Sequence, residues 1–306
     1  MREIGSVGKV LAALLAGDAG DGPHTRYYRL HRERIVGRYP YQHREAFRNA
    51  DGFTGVASRK DPRAPIEARL AFAHSDNLAL MERLSRIPRL LPAATALVTA
   101  FGWHPPPDFE PVVDIPLGRL HGAPQTVQGL FAALADPDHL GVACRPTVLE
   151  TVEPRPGREP VVQRALARRR RARRRVCARA QAWLQAHPAA RAFAMKVLSG
   201  VLDPSLGGTA ARYLASFRAG GPRHLRYSIA KTGTVNAGGP GHAVRWVWLA
   251  GALETEDGHR YTYVAQAGPL GQRETLGPHA AGGQLGALLL PVLKSLPGIE
   301  PVGAKP

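Results

Sequence analysis

Three short clusters in this 306-residue chain carry residue types that can move an acyl group. They stand in the order Ser6-Val7-Gly8-Lys9, Ser75-Asp76-Asn77 and Lys231-Thr232-Gly233-Thr234. A serine hydroxyl is a weak nucleophile until a base takes its proton. Lys9 lies three residues after Ser6, so on a helix its amine reaches the face that carries the hydroxyl. A lysine acts as a base only when its pKa is lowered, by burial or by a second cation. Lys231 can supply that cation. A helix N-terminus adds free backbone N–H groups that suit a developing oxyanion. Each cluster alone has an ordinary reading: a surface helix start, an N-cap and a strand end. Their order and local setting lift them above it.

Those groups need elements to hold them. Residues 5–17 read as a helix, opened by Gly5-Ser6 and ended by Gly17. Its apolar run, Val10 to Ala16, also resembles the core of a secretory signal, though it is short for one. Residues 18–65 are rich in Arg, His, Tyr, Gly and Pro and read as loops and short strands. Ser75-Asp76-Asn77 precedes an amphipathic stretch, Leu78, Leu80, Met81, Leu84. Pro88 and Pro92 bound the next piece, and Pro105-Pro106-Pro107 is a rigid loop. Gln125–Ala135, Arg164–Gln185, Ala189–Leu202 and Gly283–Leu296 read as helices. Strands come late: 225–230, 243–253 and 260–267, the last two joined by a turn with Asp257-Gly258. Helices first and antiparallel strands last predict an α+β fold: an antiparallel sheet flanked by helices, with a mostly helical subdomain.

On these motifs the sequence resembles the penicillin-binding protein transpeptidases of the serine β-lactamase and DD-peptidase superfamily. The resemblance extends to Phe101-Gly102, Pro116-Leu117-Gly118, the 126–135 helix, Gly208-Thr209-Ala210 and the strand 246–251. The interval of 156 residues from Ser75 to Lys231 is similar to that of transpeptidases and longer than in compact β-lactamases. The resemblance takes in nearly the whole chain, so residues 1–306 are expected to form one transpeptidase domain. Some positions depart from the family pattern. Val7-Gly8 stand where a Thr and a bulky residue are usual, and Val10 stands where a Pro is usual. Gly8 predicts a loosely started active-site helix. Only five residues precede Ser6, whereas the family carries a helix and two strands there, so the domain is expected to lack that front segment.

The resemblance implies roles residue by residue. Ser6 forms the acyl-enzyme and Lys9 accepts its proton. Ser75 relays a proton to the leaving amine and Asn77 holds the substrate amide. Lys231, Thr232, Gly233 and Thr234 line the receiving strand, with Lys231 and the two threonines on the substrate carboxylate. The backbone N–H groups of Ser6 and Thr234 form the oxyanion hole. The implied substrate is the D-Ala-D-Ala end of a peptidoglycan stem peptide, with β-lactam antibiotics as inhibitors. An amine acceptor makes a DD-transpeptidase and water makes a DD-carboxypeptidase. No cofactor and no metal are implied. The implied address is extracytoplasmic and membrane-associated, although the sequence displays no signal or anchor.

Composition narrows the alternatives. An apolar share of 44% excludes a disordered chain. Cys144 and Cys177 are the only cysteines, which excludes a disulfide scaffold. No stretch is long and apolar enough to span a membrane. Forty-one basic against 24 acidic residues give a net charge of +17, which predicts an acidic partner. Arg168–Arg175 contributes seven arginines in eight positions. That run reads as a solvated helix, or as a contact for an anionic wall polymer or a membrane surface. It also motivates a nucleic-acid-binding alternative, although no nucleic-acid signature accompanies it and aromatics, at 7%, are few. The short front motivates another alternative, a truncated non-catalytic domain that binds penicillin or peptide. His24, His31 and His43 share one region with no metal-ligand spacing and read as surface residues.

Overall fold

The chain was analysed as a computed structural model, which describes residues 2–28, 65–136, 159–219, 225–237, 244–270 and 285–299. Helix α1 (Lys9–Asp18) is its centre: every residue from Lys9 to Gly17 is buried. A helix apolar on all sides belongs inside a core. The run Val10–Ala16 is therefore core helix here, and the signal reading is set aside. A 3₁₀ turn, Gly5–Gly8, leads into α1 and carries Ser6.

Around α1 stand α2 (Ala68–Ala73), α3 (Asn77–Ser85), α4 (Leu90–Ala100), α5 (Pro111–Leu117), α6 (Pro124–Ala135), α7 (Glu159–Ala186) and α8 (Pro188–Ser199). Gly17 of α1 lets α8 come close, since a Cβ there would lie 2.8 Å from Ala190 Cα. Helix α4 is one that the prolines concealed. Pro92 sits in its first turn, where no intrahelical acceptor waits for an N–H, so the proline is tolerated.

A short helix α9 (Ala211–Leu214) leads to the main sheet: β5 (Leu225–Ala237), β6 (Val244–Thr255) and β7 (Arg260–Leu270), antiparallel in that order. The tight turn between β6 and β7 has Gly258 at φ 91° and Thr255 N donating to His259 O at 2.9 Å, as Asp257-Gly258 predicts. Buried Glu254 accepts from Arg226 on β5 and Arg260 on β7, at 2.5 and 2.9 Å. The strands run longer than the alternation indicated, so Lys231-Thr232-Gly233 lies inside β5 and not after it. Helix α10 (Gly286–Lys294) follows the sheet.

Two-residue strands complete the frame. β1 (Arg2–Glu3) pairs with β4 (His121–Gly122), and β2 (Arg26–Tyr27) with β3 (Ile66–Glu67). Buried Trp248 on β6 donates to Glu3 O at 3.1 Å, tying the approach to Ser6 onto the sheet. The expected α+β architecture is present, with the sheet beside a mostly helical body. Cys177 on α7 is disulfide-bonded, so the cysteines do more than the sequence reading allowed. The one other cysteine, Cys144, lies outside the described residues, as do His31 and His43. His24 is exposed and pairs with Glu67 at 3.2 Å, in keeping with a surface role.

Candidate active site

The Ser6 turn is shaped by what crowds it. A Cβ on Gly8 would lie 2.3 Å from Ile115 O, and one on Gly233 would lie 2.8 Å from Ile4 O. Gly118 has φ 65°, and a Cβ there would lie 1.6 Å from Gly5 O. Only glycine fits such approaches without backbone movement. Gly8 is thus a packing requirement. The helix start is held tightly, with Gly5 N and Ile4 N both donating to Gly118 O at 3.1 and 3.0 Å. The expectation of a loose start is corrected on that ground.

Lys9 Nζ donates to Ser6 Oγ at 2.6 Å, and Lys9 is fully buried. Burial pushes its pKa well below the ordinary lysine value, and the nearby charge of Lys231 pushes it further, against an opposing pull from Asp76. A lowered pKa makes the neutral form of the amine easier to reach, and a general base needs such an amine at hydrogen-bonding distance from the hydroxyl.

The second cluster forms the turn between α2 and α3. Ser75 adopts φ 58°, a left-handed conformation that is strained for a residue with a side chain. Asp76 caps α3, accepting from Ala79 N at 3.1 Å, and is buried. Asn77 is the first residue of α3 and is half-buried.

β5 brings the third cluster alongside. Lys231 Nζ donates to Ser75 Oγ at 3.0 Å and to Thr232 O at 3.1 Å. Lys231 is fully buried, and burial lowers its pKa to about 7. Thr232 Oγ donates to Thr209 Oγ at 2.9 Å. Thr232 and Thr234 share a face by the two-residue period of a strand, and Thr234 is exposed. The Gly5 Cβ position lies 2.7 Å from Thr234 O, so this part of β5 runs against the Ser6 turn.

The structure therefore gathers Ser6, Lys9, Ser75 and Lys231 around one point, with Thr232, Gly233 and Thr234 along its edge and Asn77 two residues after Ser75 at the start of α3. Two contributors went unassigned in the sequence. Among the described residues Asp76 is the acid whose charge acts on Lys9, and its place between Ser75 and Asn77 was the available signal. Thr209 lies in the noted Gly-Thr-Ala stretch, but nothing in the sequence pointed its hydroxyl at Thr232. Its backbone N also donates to Ala73 O at 3.2 Å, so it joins β5 to the Ser75 turn. Among the described residues no group of three His, Cys, Asp or Glu side chains could hold a metal ion. No described helix is long and apolar enough to cross a membrane.

No protein-family model and no curated protein matches the sequence. Solved structures match it over almost its full length. The TP domain of penicillin-binding protein 3 from Burkholderia pseudomallei superposes with a TM-score of 0.58 at 13% identity, covering 99% of this chain and 81% of that one. The penicillin-binding protein PonA1 from Mycobacterium tuberculosis gives 0.52 at 16% identity, over 96% of this chain and 69% of that one. PonA1 in complex with penicillin V gives 0.51 at 15% identity, over 100% and 75%. At such identities the likeness speaks to the fold, and this chain has the fold of the penicillin-binding protein transpeptidase domain.

Proposed function

We propose that the protein is a serine acyltransferase of the DD-transpeptidase kind, acting on D-Ala-D-Ala stem peptides and acylated by β-lactams. The observation that carries this reading is the 2.6 Å contact between the buried Lys9 amine and the Ser6 hydroxyl. Neutral Lys9 takes the Ser6 proton as Oγ bonds to the carbonyl carbon of the penultimate D-Ala. The peptide C–N bond then breaks, and Ser75 passes a proton to the departing D-Ala amine. The acyl-enzyme next passes its acyl group to an acceptor amine, or to water in a carboxypeptidase. Lys231, Thr232 and Thr234 receive the substrate's terminal carboxylate, and Asn77 its amide. The fold shared with penicillin-binding transpeptidase domains and the bonded Cys177 agree with an extracytoplasmic site of action.

Labelling with a fluorescent penicillin tests the reading. Wild-type protein is expected to form a covalent adduct that is absent in Ser6→Ala. In Lys9→Ala it should form slower by on the order of a thousandfold. A folded wild-type protein that takes no label would instead support the non-catalytic alternative. Steady release of product from nitrocefin would make the protein a β-lactamase.

A further inference from the structure

A helix ends with carbonyls that have no donor of its own. In α2 each of the last four finds one. Leu70 O accepts from His74 N at 2.9 Å, Ala71 O from Asp76 N at 2.8 Å, Phe72 O from Ser75 N at 3.1 Å and Ala73 O from Thr209 N at 3.2 Å. The crossed pair made by Ser75 and Asp76 is the helix ending that turns on a left-handed residue, most often glycine. Here that residue is Ser75, at φ 58°. A side chain in this conformation costs energy and persists only where its surroundings hold it.

The hold comes from far along the chain. His74 Nε2 donates to Leu206 O at 2.6 Å, across 132 residues. The acceptor is a carbonyl, so Nε2 carries the hydrogen. Leu206 ends a short 3₁₀ turn, Pro204–Leu206, whose shape is set by Asp203 accepting from Ser205 N at 2.9 Å. Gly207 follows at φ 66°, and a Cβ there would lie 3.1 Å from His74 Nε2, so the ring lies close against the loop backbone. The same loop carries Thr209, which reaches Ala73 O with its amide and Thr232 Oγ with its hydroxyl. Ser75 is thus flanked by two clamps. His74 ties the turn to the 203–210 loop, and Asp76 caps α3.

We propose that His74 is a positioning residue, whose ring locks the Ser75 turn to the 203–210 loop and so keeps Ser75 Oγ beside Lys231, in place to protonate the leaving group. His74 touches none of the reacting atoms. Without its bond the turn can relax towards a right-handed conformation, which swings the Ser75 hydroxyl away from its 3.0 Å contact with Lys231. The inference rests on the acyl-transfer reading and adds to it the group that holds the proton donor.

Rapid-mixing kinetics with penicillin test it, with the limiting acylation rate and the dissociation constant measured separately. His74→Phe keeps a ring and loses the donor. Its limiting rate should fall by on the order of tenfold, with the dissociation constant little changed. His74→Gln, whose amide N–H reaches the place of Nε2, should restore most of the rate. If the Phe variant does not fold, His74→Met, as long as Gln and without a donor, replaces it. An acyl-D-alanyl thioester supplies the control. Its sulfur departs as a thiolate and needs no proton, so the variant without the donor should react with it at nearly the wild-type rate. With a wild type that is acylated, three results would each overturn this proposal alone: a full penicillin rate in the variant without the donor, an equal loss with the thioester, or no recovery in His74→Gln. A wild type that takes no penicillin overturns the acyl-transfer reading, and this proposal with it.

Discussion

Lys231 and Ser75 meet at 3.0 Å although 156 residues separate them in the chain. The contact joins the sheet to the helical body at the point where the Ser6 turn is also buried. It places a cation whose proton is held only weakly beside a hydroxyl in a strained turn. The pH behaviour of the site follows from that cation and from Lys9 together.

Acylation by penicillin should show a bell-shaped pH dependence. Lys9 must be neutral to take the Ser6 proton, which sets the rising limb. Lys231, with a pKa of about 7, is charged below that pH and neutral above it. Its attraction for the β-lactam carboxylate is therefore lost as pH rises past about 7. The second-order rate constant reports these groups in the free enzyme. In Lys231→Arg the guanidinium keeps its proton, so the falling limb should vanish whatever the absolute rate. A falling limb that persists in this variant would assign it to another group.

Asp76 holds the Lys9 pKa up. Asp76→Asn removes that charge yet keeps a side chain suited to cap α3. The rising limb should move to lower pH, while the melting temperature changes little. Asp76→Ala loses the cap as well and should cost about 1 kcal/mol of stability. Stopped-flow acylation across pH and thermal melts separate the two effects.

Thr209 positions Thr232. Thr209→Val removes the acceptor for the Thr232 hydroxyl and should slow penicillin acylation roughly five- to tenfold, the size of one lost hydrogen bond. Thr209→Ser should restore it. The defect should disappear with a penicillin methyl ester, which offers no carboxylate to Thr232. An equal defect with the ester would mean that Thr209 merely supports the fold.

Gly8→Ala should be among the most damaging single-methyl changes in the chain. The added carbon would lie 2.3 Å from the backbone oxygen of Ile115, which no side-chain rotation relieves. A loss of about 3 kcal/mol or more is expected. Gly22→Ala, with Thr25 Oγ 4.0 Å away as its nearest contact, should stay within about 0.5 kcal/mol of wild type. Urea unfolding monitored by tryptophan fluorescence compares them.

Much of this was legible in the sequence because local chemistry recorded it. Asp257-Gly258 marked the turn, the Leu78–Leu84 spacing marked α3, and the ordered serines and lysines marked the side chains that the fold brings together as the candidate site. What escaped notice depends on contacts between distant segments. The need for Gly8 arises from Ile115, more than a hundred residues on. The Thr209–Thr232 bond arises from a loop folding back on a strand. Helix α4 was hidden because Pro92 reads as a breaker wherever it stands, and only its position in the first turn makes it harmless.

Helix α1, buried on every side from Lys9 to Gly17, has one more consequence. Its amide protons can meet water only when the surrounding helices separate, so they should exchange at the rate of global opening. Ser6 rides at the head of that helix. A covalent adduct on Ser6 would thus mark the slowest-opening part of the molecule. Hydrogen exchange with and without the label would show how firmly the nucleophile is tied to the integrity of the whole domain.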